Sequence, residues 1–193
     1  MRLASRSDAV LIGPGLGTDP STMQAVRSFV SRCDRPMVLD ADAIPAVGAD
    51  VSVLKGKRGV ITPHAAEFEA LTGNALPADH QERERAVKEA AAELGFTILA
   101  KRRIDIISDG FTTKLNRTGN AGMSVAGTGD VLAGEVVALL SKNVSPFNAA
   151  RMAAFLNGTA GDLAFQRLGY SIMATDVIEQ IPEVLRRSLR KLS

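Results

Sequence analysis

The chain has 193 residues, 46% hydrophobic and 23% charged, the proportions of a compact globular protein with its own core, which excludes intrinsic disorder. A formal net charge of +2, with basic residues spread among acidic ones, builds no surface for collecting polyanions, and the absence of Trp beside a lone Tyr leaves few stacking platforms, so no nucleic-acid partner is expected. One cysteine, Cys33, allows neither an intrachain disulfide nor a thiolate cluster, and no apolar run nears the roughly 20 residues of a membrane span, so the expectation is a soluble, cytoplasmic protein with no membrane partner.

In the first half, short β-branched runs alternate with amphipathic helical patterns, which predicts an α/β fold with a mostly parallel sheet and helices on its faces. Residues 9–12 read as a buried strand. Asp19-Pro20 supplies an N-cap followed by proline at the first helical position, opening a helix to about Arg32. Residues 37–39 form a strand running into Asp40-Ala41-Asp42, and residues 59–62 another running into Pro63-His64. Ligands of open parallel sheets sit beyond the carboxyl ends of strands, so these polar junctions are where a site is expected. Residues 79–94 form a helix with Ala86, Val87, Ala90 and Leu94 on one side, ending at Gly95. Residues 96–100 and 104–108 read as strands, and Asp109-Gly110 as the turn of an antiparallel hairpin leading to residues 112–115. A polar, glycine-bearing stretch, 116–129, then precedes three helices, roughly 130–141, 146–168 and 175–190. No repeat or linker divides the chain, so residues 1–193 read as a single domain.

The densest chemical signal is Gly127-Thr128-Gly129-Asp130, between the polar stretch and an apolar helical run. A helix start carries unpaired N–H groups and the positive end of the helix dipole, so it holds a phosphate or a developing oxyanion without any lysine. The plainer alternative is a glycine turn with Asp130 as a first-turn acid that complements the dipole. The long polar loop ahead of it, from Asn116 through Asn120 to Met123, favours a functional role.

Other features carry alternatives of their own. Gly13-Pro14-Gly15-Leu16-Gly17 is either a tight strand-to-helix turn or an imperfect dinucleotide fingerprint; Thr18 stands where the third glycine of G-x-G-x-x-G belongs, so the fingerprint fails. No Gly-Lys-Ser/Thr follows these glycines, so no Walker A motif is present. His64 reads as a helix cap or a packed, hydrogen-bonded side chain, and Asp40 and Asp42 as a strand end and an N-cap. Two distant histidines and one cysteine draw no metal site.

Taken together, these segments resemble the NAD(P)H-hydrate dehydratases of the ribokinase-like superfamily. The run from Gly119 to Gly134 is similar to that family's nucleotide signature, Gly13-Pro14-Gly15-Leu16-Gly17 to its GPGLG turn, Asp40-Ala41-Asp42-Ala43 to its DADA segment, and Thr62-Pro63-His64 with Glu67 to its TPH..E segment. Asn157-Gly158-Thr159-Ala160-Gly161-Asp162 resembles its later helix, and the segment from Lys101 to Asp105 the one that contacts the nucleotide's adenosine part. The resemblance implies a three-layer α/β/α sandwich, mostly parallel with an antiparallel hairpin. It implies that Lys101, Arg102, Arg103, Ile104, Asp105, Asn120, Gly127, Thr128 and Gly129 bind the nucleotide, and that Gly15, Gly17, His64 and Asp130 bind the substrate. Asp130 is the catalytic residue in this reading.

The implied reaction is repair of a hydrated nicotinamide nucleotide. ADP, or ATP in eukaryotic members, gives its terminal phosphoryl group to the hydrate's hydroxyl, with Asp130 as general base, and phosphate then leaves to restore NAD(P)H. The chain looks most like archaeal members, which favours ADP, with Mg2+ as the nucleotide's companion and a homo-oligomer, a tetramer by resemblance. Three departures stand out. The family's domain normally begins well upstream of GPGLG, so part of the usual fold is expected to be absent and a sheet edge open to a neighbouring subunit. Arg102 replaces a usual glycine, as does Ala66. The same helix start also serves small-molecule kinases acting on a vitamin precursor or a sugar, and a non-catalytic adenine-nucleotide-binding module is the rival from another class.

Overall fold

The computed structural model describes residues 3–190, with side chains for residues 3–188. Its six strands form one sheet in sequential order: β1 (Val10–Ile12), β2 (Met37–Leu39), β3 (Gly59–Ile61), β4 (Thr97–Ala100), β5 (Asp105–Ser108) and β6 (Thr113–Asn116). The first four are parallel; β4 to β6 form an antiparallel meander. One antiparallel hairpin was expected from the sequence; pairing of β4 with β5 adds a second, and the loop joining those two carries Lys101 to Ile104.

Parallel strands added in one direction need right-handed crossovers, which place every connecting helix on the same face. That face carries α1 (Pro20–Arg32), α2 (Ala43–Gly48), α3 (Ala65–Thr72) and α4 (His80–Leu94). The other carries α5 (Thr128–Ser141) and α6 (Pro146–Leu168), with α7 (Ala174–Arg190) packed on both. The period of two along each strand divides the core between the layers. Met37 and Leu39 pack with Val30, Ile44 and Val47 of α1 and α2, while the intervening Val38 packs with Leu132 and Val136 of α5. Strands covered on both faces read as continuous apolar runs, which is why β2 and β3 are buried at every position. β1 pairs only with β2, is partly buried throughout and leaves one edge of the sheet unpaired among the described residues.

Several sequence readings are refined. Helix α5 begins two residues before Asp130, at Thr128. Helix α2 is too short, and too broken by Pro45 and Gly48, to show a period in the sequence. Asp19 stands at the N-cap of α1 but its side chain makes no capping bond; the start there rests on Pro20. The β5–β6 connection is a four-residue loop, since Ser108 pairs with Thr113, and the Asp109 side chain closes it by accepting the N–H groups of Phe111 and Thr112 at 3.0 and 2.7 Å. Among the described residues no helix is long and apolar enough to cross a membrane.

Candidate functional site

The carboxyl ends of β1 to β4 lie in a row, and each delivers one of the polar junctions marked in the sequence. After β1, a Cβ on Gly13 would overlap the Asp40 carbonyl oxygen, so only glycine lets the two turns meet. The Asp42 side chain, expected as the N-cap of α2, makes no cap bond; its Oδ2 instead accepts the N–H of Gly17 at 2.8 Å. Between the two acids Ala41 sits at φ +47°, a left-handed conformation that costs a non-glycine residue energy and clusters at functional sites. The GPGLG and DADA segments are thus one mechanical unit.

Asp40, only 1% exposed, accepts a hydrogen bond from Thr62 Oγ1 and pairs with Lys101 Nζ, both at 2.7 Å. Lys101 also stands 3.7 Å from Glu67 Oε2. Glu67 closes a capping box with His64: its Oε2 accepts the His64 N–H at 2.7 Å, and His64 Nδ1 accepts the Glu67 N–H at 3.2 Å. His64 is therefore a cap, and it also borders the cavity described below.

Helix α5 opens at Gly127, with φ +92°, and no side chain caps its first N–H groups. Thr128 Oγ1 donates back toward the carbonyls of Met123 and Val125, at 2.8 and 3.1 Å, and so fixes the loop that leads into the helix. Asp130 is exposed in the first turn. A Cβ built on Gly129 would stand 3.6 Å from Lys101 Nζ, so the ammonium group and the positive end of the helix converge on one spot.

The polar loop ahead of α5 lies flat on α6. A Cβ on Gly158 would collide with the side chain and backbone of Thr118, so glycine is needed for this close approach, while one on Gly161 would meet the flexible Met123 side chain. Asp162 anchors the loop by accepting the Gly119 N–H at 3.0 Å and the Asn120 Nδ2 at 2.8 Å, while Asn120 Oδ1 takes the Gly122 N–H at 3.0 Å. Asp105 closes the β4–β5 loop, accepting from Arg102 N and Asn116 Nδ2, both at 3.0 Å, and burial raises its carboxyl above the usual range.

A cavity of about 720 Å3 opens between these elements. Its wall includes His64, Lys101, Arg102, Arg103, Asp105, Asn120, Thr128 and Gly129 from the sequence reading, joined by Thr118, Gly119 and Asn157. Arg102 borders it while staying exposed, so the side chain in place of the usual glycine does not fill the space. Ile104, Gly127 and Asp130 are not among the residues lining it, and Gly15 and Gly17 sit exposed beyond β1, at the other end of the row of strand ends. Sequence reasoning did not single out Asp40, Glu67 and Asp162 as site residues, although each stood inside a quoted motif; what was missing was their partners, 61 residues away for Asp40 and 42 for Asp162.

A family profile described as NAD(P)H-hydrate dehydratase matches residues 1–183. The chain is 49% identical over 191 residues to a bifunctional NAD(P)H-hydrate repair enzyme of Pyrobaculum aerophilum, covering 96% of this chain and 37% of that protein. It is 40% identical over 187 residues to an ADP-dependent (S)-NAD(P)H-hydrate dehydratase of Nitrosopumilus maritimus, covering 95% of this chain and 64% of that one. Its fold superimposes with a TM-score of 0.79 on the Bacillus subtilis ADP/ATP-dependent NAD(P)H-hydrate dehydratase co-crystallised with ATP and Mg2+ and soaked with CoA, at 28% identity over 96% of this chain and 70% of that chain. The fold is ribokinase-like, and the chain belongs to the NAD(P)H-hydrate dehydratase family. It spans well under half of the first of these relatives and just under two thirds of the second.

Proposed function

We propose that this chain catalyses the ADP-dependent dehydration of NAD(P)H hydrate, giving NAD(P)H, AMP and phosphate, with residues 1–193 acting as one domain. The observation that carries the reading is the convergence of the Lys101 ammonium group on the uncapped start of α5, with Asp130 in the adjoining turn and a nucleotide-sized cavity alongside.

The nucleotide lies in the cavity against Arg102, Arg103, Ile104, Asp105 and Asn120, with its terminal phosphate at the N–H groups of Gly127, Thr128 and Gly129 and at Lys101. Those donors stabilise charge on the transferring phosphoryl oxygens. Asp130 takes the proton from the hydrate's hydroxyl as its oxygen attacks phosphorus and the bond to the AMP leaving group breaks. The C–O bond then breaks, phosphate departs with the bonding pair, and loss of a ring proton restores the double bond. Gly15, Gly17 and His64 hold the hydrate along the row of strand ends. Magnesium, arriving with the nucleotide, supplies charge neutralisation; among the described residues no three histidine, cysteine or carboxylate side chains stand together to hold a metal. The free, buried Cys33 fits a cytoplasmic setting, and likeness to the family supports a homo-oligomer, a tetramer.

The test is recovery of reduced-nicotinamide absorbance from purified hydrate with ADP or ATP, for this chain and its Asp130→Ala variant. Recovery with ADP that falls by about 100-fold or more in the variant, with ADP binding intact, is expected. A stable phosphorylated product without recovery would establish a kinase instead, and binding without turnover a non-catalytic module.

A further inference from the structure

Midway along α5, the described residues include an acid with no role in the reaction above. Glu135 is 9% exposed, and both of its carboxyl oxygens are buried without a hydrogen-bond partner. Beside it stands Asn157 of α6, 6% exposed, whose Nδ2 is also buried; its amide is near enough to act on the Glu135 carboxyl as a donor, yet the two stop short of a formed hydrogen bond. Asn157 also lines the 720 Å3 cavity, so one side chain separates the buried acid from whatever occupies that space. Unpaired polar atoms in a packed interior are costly, and native proteins keep few of them without a use.

We propose that Glu135 is a positioning residue for the cavity: it holds the amide nitrogen of Asn157, and so turns the Asn157 carbonyl oxygen toward an N–H or O–H donor on the nucleoside part of the bound nucleotide. An amide carries its donor and acceptor on opposite sides, so whatever engages one end decides which end the cavity meets. An ionised carboxylate only accepts, and therefore holds Asn157 through Nδ2. The neutral acid also donates, and is able to take Asn157 Oδ1 instead, leaving the nitrogen to face the cavity. A ligand donor at Oδ1 favours the first arrangement, so binding draws Glu135 toward its ionised form and releases a proton.

Burial pushes the Glu135 carboxyl up to about 8, while the neighbouring Asn157 amide favours the ionised form and pulls against that rise. Among the described residues of α6, α7, β1 and β2, the elements packed on α5, no charged group adds to these two causes. The exchange therefore falls in a range where the protein is readily handled. Its sign follows from linkage: if binding lowers the value, affinity rises with pH through that range and levels off above the free protein's value.

The inference rests on the nucleotide reading of the cavity, and the probe is ADP itself. Calorimetric titration from about pH 7 to about pH 9 should show ADP binding tightening by up to about tenfold for a one-unit fall in the bound state. The increment should vanish in Glu135→Gln, and in Asn157→Ala even though Glu135 is intact there. Wild-type titrations near pH 7.5 in two buffers of different ionisation enthalpy should report proton release, a readout that needs no variant to fold. Equal pH slopes in wild type and Glu135→Gln, or no proton release, would overturn the inference and leave the nucleotide site standing. Failure of the wild type to bind ADP would overturn both.

Discussion

The carboxylate of Asp40 and the ammonium group of Lys101 stand 2.7 Å apart at the ends of β2 and β4, with β3 between those strands. The pair aims the ammonium group at the start of α5, 3.6 Å from where a Cβ on Gly129 would lie. Asp40 is fully enclosed and the Lys101 side chain is 21% exposed, so the attraction is screened far less than at a surface.

Breaking this pair from one side leaves the other charge poorly compensated. Asp40→Ala and Lys101→Met should each lower stability by about 2 kcal/mol, and the double variant should lose less than the sum. Urea unfolding of the four proteins gives the coupling; strictly additive losses would show that the two groups do not hold each other.

Gly13 is set by contact with the neighbouring turn. Gly13→Ala drives a methyl group into the Asp40 carbonyl, which backbone cannot relieve cheaply, and should cost about 3 kcal/mol or more in urea unfolding. Gly15→Ala meets nothing within 4 Å and carries only the strain of φ +71°, about 1 kcal/mol. A smaller loss at Gly13 than at Gly15 would contradict this ranking.

Asp162 does not itself line the cavity; it anchors the loop whose Gly119 and Asn120 do. Asp162→Ala frees Gly119 N and Asn120 Nδ2, so ADP affinity should fall by about tenfold, with a stability loss of about 1–2 kcal/mol. Paired ADP titrations and thermal melts check this; unchanged affinity would mean that the loop is held by its packing on Gly158 and Gly161.

Glu135 ties stability to pH. Its folded value of about 8 lies above the ordinary 4.5, so the native state keeps a proton that the unfolded chain gives up. Its contribution is full below about pH 4.5 and is lost as pH rises through about 8, with a ceiling of about 5 kcal/mol. Asp105, raised by burial, adds a slope of the same sign. Glu135→Gln should match wild type near pH 5 and exceed it in urea unfolding near pH 8.5. A variant less stable than wild type at the higher pH would show that the carboxylate is stabilised in the fold.

The strands, most helices and the glycine-rich start of α5 were legible because they rest on local rules: apolar periodicity, proline at a helix start and glycine at a turn. Helix α2 was hidden because six residues carry too little period, and the β4–β5 pairing because a short apolar run does not announce its neighbour or direction. By itself the sequence determined that this is an α/β chain with polar residues at its strand ends and a glycine-rich helix start. Only the tertiary structure decided that Lys101 faces Gly129, that Asp42 holds Gly17 rather than capping α2, and that Glu135 lies buried behind Asn157. Those relations join residues far apart in the chain through the stacking order of strands and the close approach of α5 to α6, which no local pattern records.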